Sequence, residues 1–88
     1  MGWTVEYDPR AISDLNRLRR EAKADIVRYL EERIAPATNP RDFGRPLRHD
    51  RFGLWRYRVR DYRIICNLKD DVSTVLVVGI GHRRDIYR

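Results

Sequence analysis

The residues best suited to chemistry gather at the end of the sequence, in the run Gly81-His82-Arg83-Arg84-Asp85-Ile86-Tyr87-Arg88. Histidine exchanges protons near neutral pH, and arginine stays charged and can hold the negative charge that grows on a phosphate in a transition state. A tyrosine can act as a base where neighbouring arginines favour its phenolate. These residue types suit RNA cleavage by attack of the 2′-hydroxyl on the adjacent phosphate, without a metal. The candidates are His82, Arg83, Arg84 and Tyr87.

Either His82 or Tyr87 could be the general base, and each has a structural alternative. Tyr87 would equally serve to anchor the terminus by packing on a sheet, and His82 would equally be a hydrogen-bonded structural residue. The sequence leaves this choice open. His49 is interpreted as a surface residue of a loop. Asp70-Asp71 are typical of a turn and no acidic cluster resembles a magnesium site, so we expect no metal and no small-molecule cofactor.

A second basic set lies on two strands predicted between Leu54 and Leu68. If Arg60 and Asp61 form a two-residue turn, Arg58 lies opposite Arg63, and Arg56 shares their face because side chains alternate along a strand. Like charges directly opposite each other cost stability, and an anionic ligand would relieve that cost. An ordinary solvated strand face is the alternative interpretation. The other face is predicted to be apolar and to pack on helices; it carries Trp55, Tyr57, Val59, Tyr62, Ile64 and Cys66.

The charge distribution favours a polyanionic partner. The net charge is +6, and 17 of the 19 basic residues are arginines. Residues 1–43 hold eight basic and eight acidic side chains, whereas residues 44–88 hold eleven basic and five acidic ones. Arginine presents a planar fork that binds phosphate oxygens in pairs. RNA, DNA or an acidic protein would fit the basic half, and a generic basic surface is the alternative.

The elements that position these residues can be read from apolar spacing. Period-2 alternation from Trp3 to Tyr7 predicts a strand, and Asp8-Pro9 is typical of a helix start. Apolar residues spaced three or four apart continue to Ile34, and we place a helix break near Arg19 to Glu21. Prolines and Gly44 then end the helical part.

Three strands follow, at about Leu54–Arg60, Tyr62–Leu68 and Ser73–Gly81, joined by tight turns and therefore antiparallel. The last strand lacks alternation, which predicts a central strand covered on both faces. The sequence therefore predicts a single α+β domain over residues 1–88. Its sheet is antiparallel-dominated with about four strands, and an N-terminal helical hairpin packs on one face, in the order strand-helix-helix-strand-strand-strand.

Composition adds few constraints. Cys66 is the only cysteine, so an intrachain disulfide is excluded, and its apolar neighbours Ile64 and Ile65 predict a small core residue. We find no signal-peptide pattern and no apolar run near the roughly 20 residues that span a bilayer. A cytoplasmic protein without a membrane partner is expected.

The stretch from Leu54 to Ile65, with Asp8-Pro9-Arg10-Ala11 before it and Gly81 to Arg88 after it, resembles the RelE branch of the RelE/ParE toxin superfamily. The resemblance covers nearly the whole chain. It implies the toxin of a type II toxin–antitoxin pair, which cleaves mRNA in the ribosomal A site without a metal and leaves a 2′,3′-cyclic phosphate. The implied partners are a cognate antitoxin, the ribosome and mRNA.

The resemblance also implies roles for individual residues. Arg63 and Arg83 would stabilise the transition state, and Tyr87 or His82 would activate the 2′-hydroxyl. Arg56 and Arg58 stand where the best-studied branch has lysines; because arginine is a poor proton shuttle, we interpret both as phosphate binders. Arg60 and Arg84 join them as candidate RNA-binding residues, although a solvent-facing turn position explains Arg60 as simply.

Two rival functions remain open at this point. The ParE branch shares the fold and instead poisons DNA gyrase, and a non-catalytic nucleic-acid-binding domain would show the same basic half. The clustered arginines together with His82 and Tyr87 favour the ribonuclease.

Overall fold

The computed structural model of the chain describes residues 2–48 and 53–82. Strand β1 (Thr4–Tyr7) is followed by helix α1 (Pro9–Asn16) and helix α2 (Arg20–Tyr29), which continues into a π-helical turn at Leu30–Ile34. A 3₁₀ turn at Pro40–Asp42 leads to β2 (Arg45–Pro46). Strands β3 (Trp55–Val59), β4 (Tyr62–Lys69) and β5 (Thr74–His82) complete the described chain, with a 3₁₀ turn at Asp70–Val72.

The strands form one mixed sheet in the order β1-β5-β4-β3-β2. Strand β1 is parallel to β5, and the other pairs are antiparallel. The predicted α+β fold and the inner position of β5 are confirmed. The strand number was wrong, because the sheet has five strands. The additional strand, β2, has two residues, one of them a proline, and so offers no periodic signal.

The helical hairpin forms as predicted. The Asp8 carboxylate accepts a hydrogen bond from the Ala11 amide at 2.9 Å, and Pro9 occupies the first helical position, where its missing N–H costs nothing. Helix α1 ends at Asn16 and α2 begins at Arg20. The break therefore lies at residues 17–19, slightly before the predicted position.

The helices cover one face of the sheet, and the core lies between the two layers. Five helical or π-turn residues are buried there against seven strand residues. The helical set is Ala11, Leu15, Ile26, Leu30 and Ile34. The strand set is Tyr57, Ile64, Cys66, Leu68, Val75, Val77 and Ile80. The prediction that Cys66 is a core residue is confirmed, and burial raises the pKa of its thiol, which keeps it protonated and unreactive.

A bulge in β5 decides which side chains face the helices. Cys66 pairs with Val77 but Ile65 pairs with Gly79, so Val78 is an additional residue in β5. Val77 and Ile80 both lie on the helix side, while Gly79 and Gly81 share the opposite face with Ile65 and Arg63. The predicted cover on both faces is not observed, since Leu76 and Val78 are only half-buried.

Helix α1 also reaches the edge of β5 beyond the end of β1. The Asp14 carboxylate accepts a hydrogen bond from the Ile80 amide at 2.9 Å, which satisfies a strand N–H that β1 does not reach. Among the described residues, no helix combines the length and the apolar character needed to cross a bilayer.

Candidate functional site

The β3–β4 hairpin places three arginines on the sheet face that the helices leave open. Val59 pairs with Tyr62, Arg58 with Arg63, Tyr57 with Ile64 and Arg56 with Ile65, so the predicted register is confirmed. Directly paired residues share a face, and residues two apart along a strand do so as well. Arg56, Arg58 and Arg63 are therefore neighbours on one surface.

Strand β2 adds a fourth arginine, which the sequence analysis missed. Arg45 pairs with Arg56. One cavity of about 330 Å³ is lined by Gly44 and by all four arginines. We call the surface formed by Arg45, Arg56, Arg58 and Arg63 the arginine face. Arg45 follows Gly44 in a proline-containing loop and belongs to no periodic pattern, so only its charge could have drawn attention to it.

The arginine face contains two like-charged pairs directly opposite each other, Arg45 with Arg56 and Arg58 with Arg63. The Asp61 carboxylate lies 3.9 Å from the Arg58 guanidinium, at the limit of an ion pair, and the Arg58 side chain is 57% exposed. Such pairs cost stability in the free protein. A bound phosphate would offset that cost, because each guanidinium can donate two parallel hydrogen bonds to it.

Gly44 allows β2 to approach β3 closely enough to place Arg45. Gly44 has φ +69°, and a Cβ added there would lie against the Arg56 carbonyl oxygen, 2.7 Å from Tyr57 Cδ1 and 2.9 Å from Trp55 Nε1. The Trp55 indole donates a hydrogen bond to the Phe43 carbonyl at 2.7 Å, and the Tyr57 hydroxyl donates one to the Pro40 carbonyl at 2.8 Å. These contacts fix the loop that carries Arg45.

An ion pair ties the same loop to the far end of β4. The Arg41 guanidinium donates two hydrogen bonds to the Asp70 carboxylate, at 2.8 and 3.0 Å, and lies 6.0 Å from the centre of the Trp55 ring. The hydrogen bond from Arg41 holds the pKa of the Asp70 carboxyl below its usual value. Arg41 is therefore engaged in holding the loop and does not line the arginine cavity.

Glycines leave room beside the arginine face. Gly81 pairs with Arg63 and Gly79 with Ile65, so β5 presents two positions without side chains next to Arg63. This part of β5 also lines a cavity of about 600 Å³ that extends to Asp14 of α1 and to Arg17, which directly follows that helix. Beside Arg63 and Ile65, a ligand on the arginine face therefore meets the backbone of β5 and no β5 side chain.

Two predicted site residues lie away from the arginine face. Arg60, at φ +55°, donates hydrogen bonds to the Asp25 carboxylate of α2 at 2.6 and 2.7 Å, which directs its side chain to the helix side. His82 pairs with Tyr62, and their rings meet edge to face at 5.7 Å between centroids. Because Tyr62 packs against the core, His82 also lies on the helix side.

The remaining candidates, Arg83, Arg84 and Tyr87, lie outside the described residues, as does His49. Within residues 2–48 and 53–82, no three His, Cys, Asp or Glu side chains come together as a metal site would require. Among the described residues, the predicted site residues that come together are thus arginines. Arginines can bind a phosphate and stabilise its charge, but they cannot transfer the protons of the reaction.

Comparison with known proteins places the chain among the toxins of type II toxin–antitoxin systems. The family model described as the ParE toxin of the type II toxin–antitoxin system parDE matches residues 5–87. Toxin RelG of Mycobacterium tuberculosis is 31% identical over 88 residues, which cover 100% of this chain and 99% of that toxin. Toxin RelE of the same organism is 33% identical over 84 residues, covering 96% of this chain and 84% of that toxin.

The fold is similar to that of a solved complex. The structure of the toxin–antitoxin complex RelBE2 from Mycobacterium tuberculosis contains a chain with a TM-score of 0.84 and 27% identity, and the match covers 97% of this chain and 95% of that one. The likeness extends over the sheet and both helices.

Proposed function

We propose that this chain, which belongs to the RelE-like branch of the RelE/ParE superfamily of type II toxins, is a ribosome-dependent endoribonuclease that cleaves mRNA in the cytoplasm. The observation that carries the proposal is the arginine face, where four arginine residues line one cavity. A polyanion with closely spaced phosphates fits that surface, and single-stranded mRNA supplies them.

The proposed reaction is transfer of a phosphoryl group within the RNA. The 2′-oxygen attacks the adjacent phosphorus, the bond to the 5′-oxygen of the next nucleotide breaks, and the products are a 2′,3′-cyclic phosphate and a 5′-hydroxyl. Negative charge grows on the phosphate oxygens in the transition state. Arg63, half-buried in the sheet beside the open Gly81 position, is placed to stabilise that charge, while Arg56 and Arg58 bind the phosphate backbone.

Proton transfer needs a group other than the arginines of the arginine face. We assign the general base to Tyr87 in preference to His82, because the His82 ring lies on Tyr62 on the helix side, away from Arg58 and Arg63. Arg83 adds positive charge at the phosphate, and Arg84 binds RNA. The arginines supply the charge stabilisation that a metal provides in other nucleases, so we propose a metal-independent reaction.

A cognate antitoxin is the proposed protein partner. The arginine face and the net charge of +6 favour a partner with acidic residues over the second half of the chain. The related RelBE2 structure is a toxin–antitoxin complex, which supports the same kind of neutralisation here. Covering the arginine face would exclude mRNA from it.

The match to the ParE toxin model supports a second candidate function, poisoning of DNA gyrase. That activity needs a surface for a protein, and it does not depend on four arginines around one cavity. The arginine face therefore favours RNA. Gyrase-dependent DNA breaks without mRNA cleavage would establish the second candidate.

The test is cleavage of mRNA on programmed ribosomes, read by primer extension. We expect Arg63→Ala to slow cleavage roughly 10²- to 10³-fold, the scale of losing one transition-state donor. Arg20→Ala removes the same charge from an exposed position on α2, behind the sheet, and is expected to leave the rate unchanged. Circular dichroism establishes that both variants are folded. Full activity of a folded Arg63→Ala protein would contradict the proposal.

The same assay separates the two candidate bases. Tyr87→Phe keeps the ring and removes the hydroxyl, and we expect it to lose roughly 10²- to 10⁴-fold in rate, the usual contribution of a general base. His82→Gln is expected to cleave at nearly the wild-type rate. The assignment is wrong if the His82 variant is slow and the Tyr87 variant is not.

A further inference from the structure

We infer that a second RNA subsite lies next to the arginine face, beyond β2, and holds the phosphate and sugar of a neighbouring nucleotide; the inference rests on the proposed function and extends it. A cavity of about 610 Å³ is lined by Arg45, Pro46, Leu47, Arg48 and Arg56. It shares Arg45 and Arg56 with the cavity of the arginine face. The two cavities are therefore neighbours that share two arginine residues as lining.

Four arginines follow one another along the sheet surface in the order Arg58, Arg56, Arg45 and Arg48, and we call this row the arginine track. Arg58 and Arg56 lie two residues apart on β3, which is roughly 6.6 Å along the strand. Arg45 is beside Arg56, and because β2 runs antiparallel to β3, Arg48 lies further toward the start of β3. The Leu47 amide donates a hydrogen bond to the Leu54 carbonyl at 2.9 Å, which holds this segment against β3. Arg48 is thus fixed near the sheet at the far end of the arginine track from Arg58.

The lining of the second cavity suits a nucleotide. Pro46 and Leu47 supply an apolar surface between Arg45 and Arg48, so a ribose or base can pack there while the phosphate meets guanidinium groups. Bases also stack on guanidinium planes and apolar side chains in single-stranded RNA complexes. An acidic protein segment would meet the same charges. RNA is favoured because the cavity continues directly from the surface at which we place the cleaved phosphate.

Arg48 is the residue that distinguishes the second subsite, because it lines only that cavity. We propose to measure binding of a 2′-O-methyl hexanucleotide, which cannot be cleaved, to the full chain by fluorescence anisotropy at several salt concentrations. Arg48→Ala is expected to weaken binding roughly tenfold, the scale of one charge-assisted hydrogen-bonded contact. The slope of log affinity against log salt should fall by about 0.7, as for one phosphate contact on a single strand.

Matched measurements decide between the subsite and a general charge effect. Arg20→Ala should leave both affinity and slope unchanged. With a 2′-O-methyl dinucleotide, which occupies only the arginine face, Arg63→Ala should still weaken binding and Arg48→Ala should have no effect. Equal effects of Arg48→Ala on the long and the short RNA would overturn the inference, as would an Arg48→Ala protein that binds both normally. A poly-glutamate peptide is measured as a third ligand. If Arg48→Ala weakens binding of this peptide and of neither RNA, the cavity belongs to a protein partner and the inference is overturned.

The binding assay and the ribosome assay can each refute one proposal without refuting the other. If the wild-type chain leaves ribosome-bound mRNA intact but shows the length-dependent effect of Arg48→Ala, the subsite stands and the proposed nuclease falls. If mRNA is cleaved and Arg48→Ala binds the hexanucleotide like the wild type, the nuclease stands and the subsite falls.

Discussion

Replacing Gly44 by alanine tests how Arg45 reaches the arginine face. An alanine at position 44 must adopt φ +69°, which costs about 1–2 kcal/mol for a residue with a Cβ. It must also displace the Arg56 backbone, the Tyr57 ring or the Trp55 indole, and overpacking of this kind costs about 1–3 kcal/mol. We therefore expect a loss of about 2–5 kcal/mol in the free energy of unfolding.

Gly53 provides the control, because it has nearly the same φ as Gly44 and has open space around it. Its φ is +68°, and an added Cβ meets nothing within 4 Å. Gly53→Ala should therefore lower the free energy of unfolding only by the cost of the positive φ, about 1–2 kcal/mol. The difference between the two variants measures the close approach of β2 to β3.

Urea unfolding of both variants gives the two free energies of unfolding. The melting temperature should fall by roughly 4–8 °C for each kcal/mol lost in a chain of this size. Folded Gly44→Ala protein should also bind RNA roughly tenfold more weakly, because Arg45 is displaced from Arg56. Equal destabilisation of the two glycine variants would refute the reasoning. Unchanged RNA binding by Gly44→Ala would show that Arg45 does not depend on this contact.

Two further predictions concern the rest of the fold. Burial raises the pKa of Tyr7 to about 12 from 10.0, because the ionised phenolate is disfavoured inside the fold. The free energy of unfolding should therefore not depend on this ionisation below pH 10, and it should fall as the pH rises from 10 toward 12. Tyr7→Phe should reduce this alkaline loss of stability in urea titrations, and a Phe variant with the same pH profile would contradict the prediction. The Tyr7 hydroxyl is buried without a hydrogen-bond partner among the described residues, so the substitution should also raise stability at neutral pH by up to about 1 kcal/mol. Arg60→Ala breaks an exposed ion pair with Asp25 and should cost at most about 1 kcal/mol with RNA binding unchanged, whereas weaker RNA binding would return Arg60 to the candidate site.

The sequence by itself determined the parts of this protein that depend on local patterns. Alternation from Trp55 to Cys66 fixes the hairpin register, because a shift of one residue would turn every apolar side chain to solvent. Asp8-Pro9 determines the start of α1 for an equally local reason, since the cap and the proline act within one turn. The hairpin alternation was sufficient to place Arg56, Arg58 and Arg63 together on one face.

The tertiary structure alone decided which other basic residues join them. Arg45 reaches Arg56 through a two-residue strand that carries no pattern, and Arg60 is drawn to Asp25, 35 residues earlier in the chain. Such contacts depend on how distant segments pack, which neither composition nor periodicity expresses. Arg45 was therefore missed, and Arg60 was grouped with the RNA-binding residues.

The position of His82 shows the same limit most clearly. If side chains alternated without interruption from Val77 through Val78, His82 would lie on the arginine face. The bulge shifts the register by one residue, so His82 lies opposite Tyr62 on the helix side and Gly81 lies opposite Arg63. A single extra residue in a strand without polar alternation leaves no trace in the sequence. Only the pairing of β4 with β5 decides which face each side chain occupies.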